Sequence, residues 1–474
     1  MSVFSSFPRT FWVANVIELF ERWAWYGFFM LFANYLTGSS DAGGLEFSQS
    51  QKGLLMGVGT GILYFLPVLT GAIADRYGYK KVLFLAFLIY TSAFILLPMF
   101  TTFTGVFLMY LYLAVGAALF KPVISATISK TTTDKTASIG FGIFYMMVNI
   151  GAFFGPMVTL LFKGSSHLIF YVSAGIIALN FILLFFYKEP GREDAEKNTD
   201  PLLKTFRIIF TNMGYILKDV KFILFLVIVA GFWAMYHQLF FTLPVFISQW
   251  VDTSVLYNFF HAYMPFFSEN YSQGAGVMDA EFVTNIDALY IITFQLVVSS
   301  IVMKMKPLRS MMSGFLVCSI GMSLTLVSQN VLFTMVAILI FSLGEMAGSP
   351  KITEYIGRIA PADKKALYMG YSFIPVFLGN VMAGIISGVV YQQMSDKVMI
   401  VQQFVAEKGL QIPEGLSNNA YFAEVARQVD LTPQALTNLL WKLYDPSRLW
   451  MVIFGIGMGT ALLLFVYDRV TSRK

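Results

Sequence analysis

The chain has 474 residues, 57% apolar and only 12% charged, with a mean hydropathy of +0.69, where soluble proteins carry about 25% charged residues. An ordinary soluble domain is excluded; a membrane helix takes about 20 apolar residues plus a connection, so about twelve spans of about 40 residues each account for the length. The net charge of +5 is scattered over short loops, which argues against nucleic acid, and the single cysteine, Cys318, lies in the apolar run Gly314 to Leu326, which excludes a disulfide framework, a CxxC metal site and redox chemistry.

Long apolar runs predict helices near 11–36, 50–74, 81–100, 104–128, 138–162, 168–187, 220–250, 285–303, 310–328, 331–357, 367–393 and 447–468. The first run is interrupted by Glu18, Glu21 and Arg22, unlike the continuous apolar core of a signal peptide, and reads as a retained helix. Basic residues in short loops stay cytoplasmic. With the N-terminus inside, 22 Lys and Arg fall on that face, from Arg9 to Lys474 and including Lys135, Lys364 and Arg473, against 7 opposite, Lys52 and Lys163 among them. Both termini are therefore expected in the cytoplasm.

The charged stretch 188–219 has no apolar run long enough to span and reads as a cytoplasmic linker between an N-terminal six-helix bundle, 1–187, and a C-terminal one, 220–474. Gly116 precedes Pro122 by six positions in the fourth helix, and Gly344 precedes Pro350 by six in the tenth, the spacing expected of a repeated transporter with a mid-membrane site. Two further segments lie outside the membrane. Residues 251–284 lack Lys and Arg but are rich in aromatics, and 394–445 contains an amphipathic DKVMIVQQFVAEKG and Thr432 as N-cap before Pro433. They read as folded outer connectors, with a lid or docking role as the alternative.

A charge at mid-bilayer costs roughly 2.5–3.5 kcal/mol on insertion scales, so each one must face a cavity or a partner. Glu18, Glu21 and Arg22, at i, i+3 and i+4, share a helix face, and the fourth helix contributes Lys121; the four charges sum to zero. Desolvation raises a carboxylate's proton affinity and a neighbouring cation lowers it, so small changes in hydration move a proton. Protonating one Glu leaves the cluster at +1, a seat for a substrate carboxylate, and losing the proton restores the ion pairs. The competing reading is a structural pin between the first and fourth helices. Glu345 has no local partner and suits the amine of a zwitterion, whereas Lys351 and Glu354 read as a structural pair. His237 is either a proton carrier or a buried histidine satisfied by a neighbour. No His/Cys spacing indicates a metal, and no cofactor is expected.

ELFERWAWYG at 18–27 resembles the ExxER motif of the proton-dependent oligopeptide transporters, within the major facilitator superfamily. GAIADRYGYKK at 71–81, with Asp75 and Arg76, resembles the superfamily's loop 2–3 gating motif. LFKP at 119–122, FGIFYMMVNIGAFFGP at 141–156, FWAMYHQ at 232–238, VTNIDAL at 283–289 and GEMAGSP at 344–350 are similar to the family's helix-4, -5, -7, -8 and -10 segments, in order. The resemblance implies the major facilitator fold and proton-driven import of di- and tripeptides by alternating access, in a multi-pass protein of the bacterial inner membrane, monomeric and embedded in lipid. By the same resemblance Glu18, Glu21, Arg22 and Lys121 serve proton coupling, joined by His237 as the proton carrier its own chemistry offers, and Tyr26, Tyr64, Lys121, Asn149, Asn285 and Glu345 bind the peptide. Two departures stand out: Phe29 and His237 replace an arginine and a glutamate that pair in the family. Since a lone survivor would leave a costly unpaired charge, the whole pair has been removed.

Two alternatives remain: a proton-linked importer or exporter of another small organic solute, and a non-transporting receptor or scaffold. An enzyme is not expected, because no nucleophile triad, metal cluster or phosphate loop is present.

Overall fold

The computed structural model describes residues 7–133, 136–163, 165–190, 202–216, 218–274, 276–361 and 365–471. Much of the expected linker, 191–201 and 217, lies outside the described residues, as do Lys135, Lys364, Arg473 and Lys474. Among the described residues there is no β-sheet, only isolated bridges pairing Asp252 with Asn330 and Ser272 with Met278. Nine helices among the described residues are long and apolar enough to cross a membrane, or ten when one bent pair is counted as a single span. The chain is a multi-pass membrane protein.

The structure has two compact units, each drawn from three stretches of sequence: Met1–Phe28, Gly59–Val227 and Thr353–Phe377 in the first, Phe29–Val58, Ile228–Ile352 and Leu378–Lys474 in the second. In chain order the first helices are α1 (Arg9–Thr37), α2 (Gln49–Phe65), α3 (Pro67–Tyr77), α4 (Tyr79–Leu96), α5 (Phe103–Lys130), α6 (Ala137–Leu160), α7 (Ser166–Phe186) and α8 (Leu202–Ile216). The 42° bend between α2 and α3 sits at Pro67, whose missing N–H and bulky ring interrupt the helical ladder. Within the first unit α4 packs on α5 and α7, and α3 on α5. α6 runs backbone to backbone against α1: a methyl on Gly151 would sit 2.7 Å from the Leu19 carbonyl, and one on Gly155 would collide with the Trp23 carbonyl. This contact sets the height of the charged turn of α1. α8 is a helix inside the stretch read as a linker, and it packs on α3.

The remaining helices are α9 (Val220–Tyr236), α10 (Gln238–Phe241), α11 (Leu243–Trp250), α12 (Ser254–Tyr263), α13 (Pro265–Asn270), α14 (Ala280–Thr284), α15 (Ile286–Val302), α16 (Pro307–Leu324), α17 (Val331–Ile359), α18 (Lys365–Gly370), α19 (Ile374–Ile385), α20 (Tyr391–Met394), α21 (Lys397–Lys408), α22 (Asn418–Gln428), α23 (Pro433–Tyr444) and α24 (Leu449–Thr471). In the second unit α16 packs along α24, and α21, α22 and α23 pack on one another. The continuous helix expected over 220–250 is in fact broken at His237 and again at Thr242. Pro244 supplies no amide to the ladder and crowds the carbonyl one turn earlier. The helix expected over 367–393 is interrupted by a π turn at Ile386–Val390. There Gly384 and Gly388 close on Gly53 and Gly57 of α2; a methyl on Gly57 would lie 2.8 Å from the Gly384 Cα.

Lys52 corrects the sequence reading. Counted among the bases of the outer face, at the start of the helix expected over 50–74, it lies fully buried in α2. Its Nζ donates to the Phe241 carbonyl at 2.8 Å, at the second break of α9–α11, and lies 5.2 Å from the Tyr391 ring centroid. The outer segment 394–445 forms helices where its cap signals predict them, with the Thr432 hydroxyl accepting from the Ala435 amide at 3.2 Å. The loop before α2 is tied to α22: the Glu46 carboxylate accepts from the Asn418 amide at 2.8 Å and the Ser40 amide at 2.9 Å, and Asp41 accepts from the Asn419 side chain at 2.9 Å. Burial pushes the Glu46 carboxyl up, but these amides with the Ser40 and Ser39 hydroxyls outweigh it and hold it below the usual carboxylate range.

Candidate transport site

In the first unit the charged turn of α1 is almost closed to solvent: Glu21 is fully buried, and Glu18 and Arg22 are each 6% exposed. The Arg22 guanidinium contacts Glu21 Oε2 at 2.5 Å and Glu18 Oε1 at 3.3 Å, and lies 5.8 Å from the Tyr26 ring centroid. Glu21 Oε1 accepts from the Tyr90 hydroxyl of α4 at 2.8 Å. Both Glu21 oxygens are therefore engaged, whereas Glu18 has one longer contact. Lys121 of α5 holds its ammonium 3.8 Å from the Tyr64 ring centroid and is close enough to interact electrostatically with Glu18, Glu21 and Arg22. The four charges read from sequence thus meet in one place.

The Asn149 side-chain amide donates to the Tyr145 carbonyl of its own helix at 2.8 Å, which leaves a second N–H and the Oδ1 for other partners. At the loop 2–3 motif, Asp75 accepts from the Tyr79 hydroxyl at 3.0 Å, and Arg76 lies 5.7 Å from the Tyr77 ring centroid. Glu189, which the sequence reading did not single out, accepts from the Tyr79 amide at 2.9 Å and so places a carboxylate on the N-terminus of α4.

The second unit holds Asn285 at the junction of α14 and α15 and Glu345 on α17. Tyr236 hydrogen-bonds the Glu345 carboxylate, while the buried Glu345 Oε2 has no hydrogen-bond partner among the described residues. The sequence reading passed over Asp287, two residues beyond Asn285. It is 6% exposed, accepts from the Ser342 hydroxyl at 2.5 Å, and acts electrostatically on Glu345. Ser342 and Glu345 stand at i, i+3 and so share a face of α17. Among the described residues no ion pair engages either acid. The signal was an acid in VTNIDALYII with no base nearby in the sequence.

His237 sits at the first break of α9–α11. Its Nδ1 donates to the Trp233 carbonyl at 2.7 Å, and its ring packs 6.0 Å from that of Phe241. Phe29 lies 5.4 Å from the ring of Phe240 and 6.0 Å from that of Phe241. Where the resemblance implies an arginine and a glutamate, the chain builds an aromatic layer.

Residues 12–259 match the family described as Major Facilitator Superfamily. The chain belongs to the major facilitator superfamily. It is similar to an uncharacterized MFS-type transporter, YqjV, of Bacillus subtilis, 25% identical over 387 residues, 80% of this chain and 85% of that protein. It is also similar to dipeptide and tripeptide permease A of Erwinia pyrifoliae, 28% identical over 244 residues, only 49% of this chain and 45% of the permease. A POT family transporter in complex with 5-aminolevulinic acid superposes with a TM-score of 0.70 at 17% identity, covering 99% of both chains, and so shares the fold. The chain is a transporter of the major facilitator type.

Proposed function

We propose that this transporter is a proton-coupled symporter that imports di- and tripeptides across a bacterial inner membrane by alternating access. In this reading twelve spans form two six-helix halves, 1–187 and 220–474, joined by 188–219, with both termini cytoplasmic and the proton gradient as the only energy source. The observation that carries it is the buried, electrically balanced set of Glu18, Glu21, Arg22 and Lys121. A static pin between helices needs one acid and one base; here two acids share one guanidinium and a second cation stands beside them. Glu21 is held by Arg22 and Tyr90, so Glu18, the less constrained acid, carries the proton. Its protonation frees positive charge for a peptide carboxylate at Lys121. Glu345 with Asn285 takes the amino group, and Asp287 supplies a second negative charge there. The helix-1, helix-4 and helix-5 motifs and the match to the permease support this reading.

The test is dipeptide uptake into proteoliposomes. Acidic outside pH is expected to drive accumulation. Glu18→Gln is expected to abolish that accumulation while retaining exchange of internal for external peptide, because the binding groups remain. Accumulation unaffected by Glu18→Gln and by Glu21→Gln overturns the proposal. The aromatic layer at Phe29 and His237 favours a second reading, proton-linked transport of another small organic solute. It predicts substrate-induced proton movement with no response to any di- or tripeptide, and the direction of that movement separates import from export.

A further inference from the structure

Residues 251–284 contain no Lys or Arg and four acids, Asp252, Glu269, Asp279 and Glu281. Within them α12 has three distinct sides. One faces the protein: Leu256 is buried, and the Phe260 ring packs edge-on 5.6 Å from that of Phe282 on α14. A polar side carries exposed Asn258 and His261, with Tyr257 stacked on His261 at 5.6 Å. The third side is an apolar stripe at i, i+4 and i+8, Val255, Phe259 and Tyr263, exposed by 53%, 52% and 75%, and extended by Phe266 of α13 at 57%. A helix fixed to its protein along one side, polar along the next and bare and apolar along the third fits a boundary between two solvents.

The neighbouring helix says which solvents. α14 leads directly into α15, a span whose Leu289, Ile292, Leu296 and Val297 are all exposed and form its lipid face. From Phe282, where α12 is seated, to Leu289 is about 10 Å of helix at ~1.5 Å per residue, comparable to the depth to which interfacial helices bury their apolar side. α12 is therefore seated near the end of a lipid-facing span, where headgroups lie and where aromatic side chains concentrate.

We propose that α12 and α13 form an interfacial membrane anchor whose Val255, Phe259, Tyr263 and Phe266 enter the headgroup and acyl boundary of the bilayer beside α15. With no Lys or Arg in the segment and four acids, attraction to anionic lipid does not drive the contact. Burial of the apolar stripe drives the contact, zwitterionic lipid suffices, and salt has little effect. The anchor fixes the start of α15, and with it Asn285 and Asp287, relative to the membrane plane.

Cys318 is fully buried, so the wild-type chain gives the background for thiol labelling. The full-length Tyr263→Cys, Phe259→Cys and Asn258→Cys variants, each carrying an environment-sensitive thiol-reactive fluorophore, are reconstituted into phosphatidylcholine vesicles containing lipid with a nitroxide near the headgroup. Labels at 263 and 259 are expected to be quenched by that lipid at least about twofold more than the label at 258, with the order reversed for aqueous iodide and no change between ~0.05 and ~0.5 M salt. Labels at 259 and 263 open to iodide and untouched by nitroxide lipid place the stripe in water and overturn the proposal. Protection from both quenchers also overturns it; protection lost on dilution into more lipid identifies a second copy as the cover.

Discussion

The bond between Tyr90 and Glu21 joins α4 to the charged turn of α1, and its removal tests whether that turn is held by design. Tyr90→Phe deletes one oxygen and keeps the ring, which stacks 5.7 Å from that of Phe94. The hydroxyl donates to a fully buried carboxylate at 2.8 Å, and a hydrogen bond to a charged group contributes about 1.5–3 kcal/mol. The loss is expected near the upper end, because Glu21 is fully buried and solvent does not reach it to replace the donor. Equilibrium unfolding in mixed detergent micelles measures it, read through a double-mutant cycle with Glu21→Gln. The expected coupling is at least ~1 kcal/mol, above the ~0.3–0.5 kcal/mol scatter of independent sites. Additive single and double variants would refute the reasoning, since Tyr90 would then contribute through its ring alone.

Further perturbations follow from the same geometry. Gly155→Val drives a branched side chain into the Trp23 carbonyl, so it is expected to cost at least about 1–3 kcal/mol, read as lost thermal stability, whereas Gly175→Val, which meets nothing within 4 Å, is expected to be neutral. Phe29→Arg alone sets a cation against Phe240 and Phe241 and is expected to lower stability by roughly 2.5–3.5 kcal/mol. Adding His237→Glu is expected to recover most of that loss and to alter substrate selectivity; no recovery in the double variant would show that the two positions do not meet. The folded-state carboxyl of Glu46 lies below its ordinary value, so the stability it contributes is present above pH ~4.3 and is lost as pH falls through the lowered folded value. Hydrogen exchange at the start of α22 is expected to quicken in Glu46→Gln at neutral pH, and the difference from wild type is expected to vanish at the acid end.

Helix positions were legible because a membrane span must be apolar over about 20 residues, and the cap at Thr432 was legible because a side-chain oxygen one turn from its amide is a local event. The grouping of Glu18, Glu21 and Arg22 followed from helical periodicity alone. Lys121 could be grouped with them by charge balance and by the family resemblance, not by periodicity, and Tyr90, 69 residues from Glu21, looked like any core aromatic. Asp287 was visible as an unaccompanied acid, but its partner Ser342 is 55 residues away. Lys52 shows the limit most plainly. Its sequence position, at the start of a helix on the outer face, suggested a solvated cation, and what makes it a buried residue is a carbonyl 189 residues distant, released by a break in another helix.

From the sequence alone came the solvent each helix requires, because apolar run length is a local property, and the identity of the charges that must be compensated in that solvent. Tertiary structure decided which groups compensate them. A buried charge is settled by whatever donor or acceptor the packing brings within about 3 Å, and helix-to-helix register is fixed by glycine contacts and chain breaks that no single periodicity encodes.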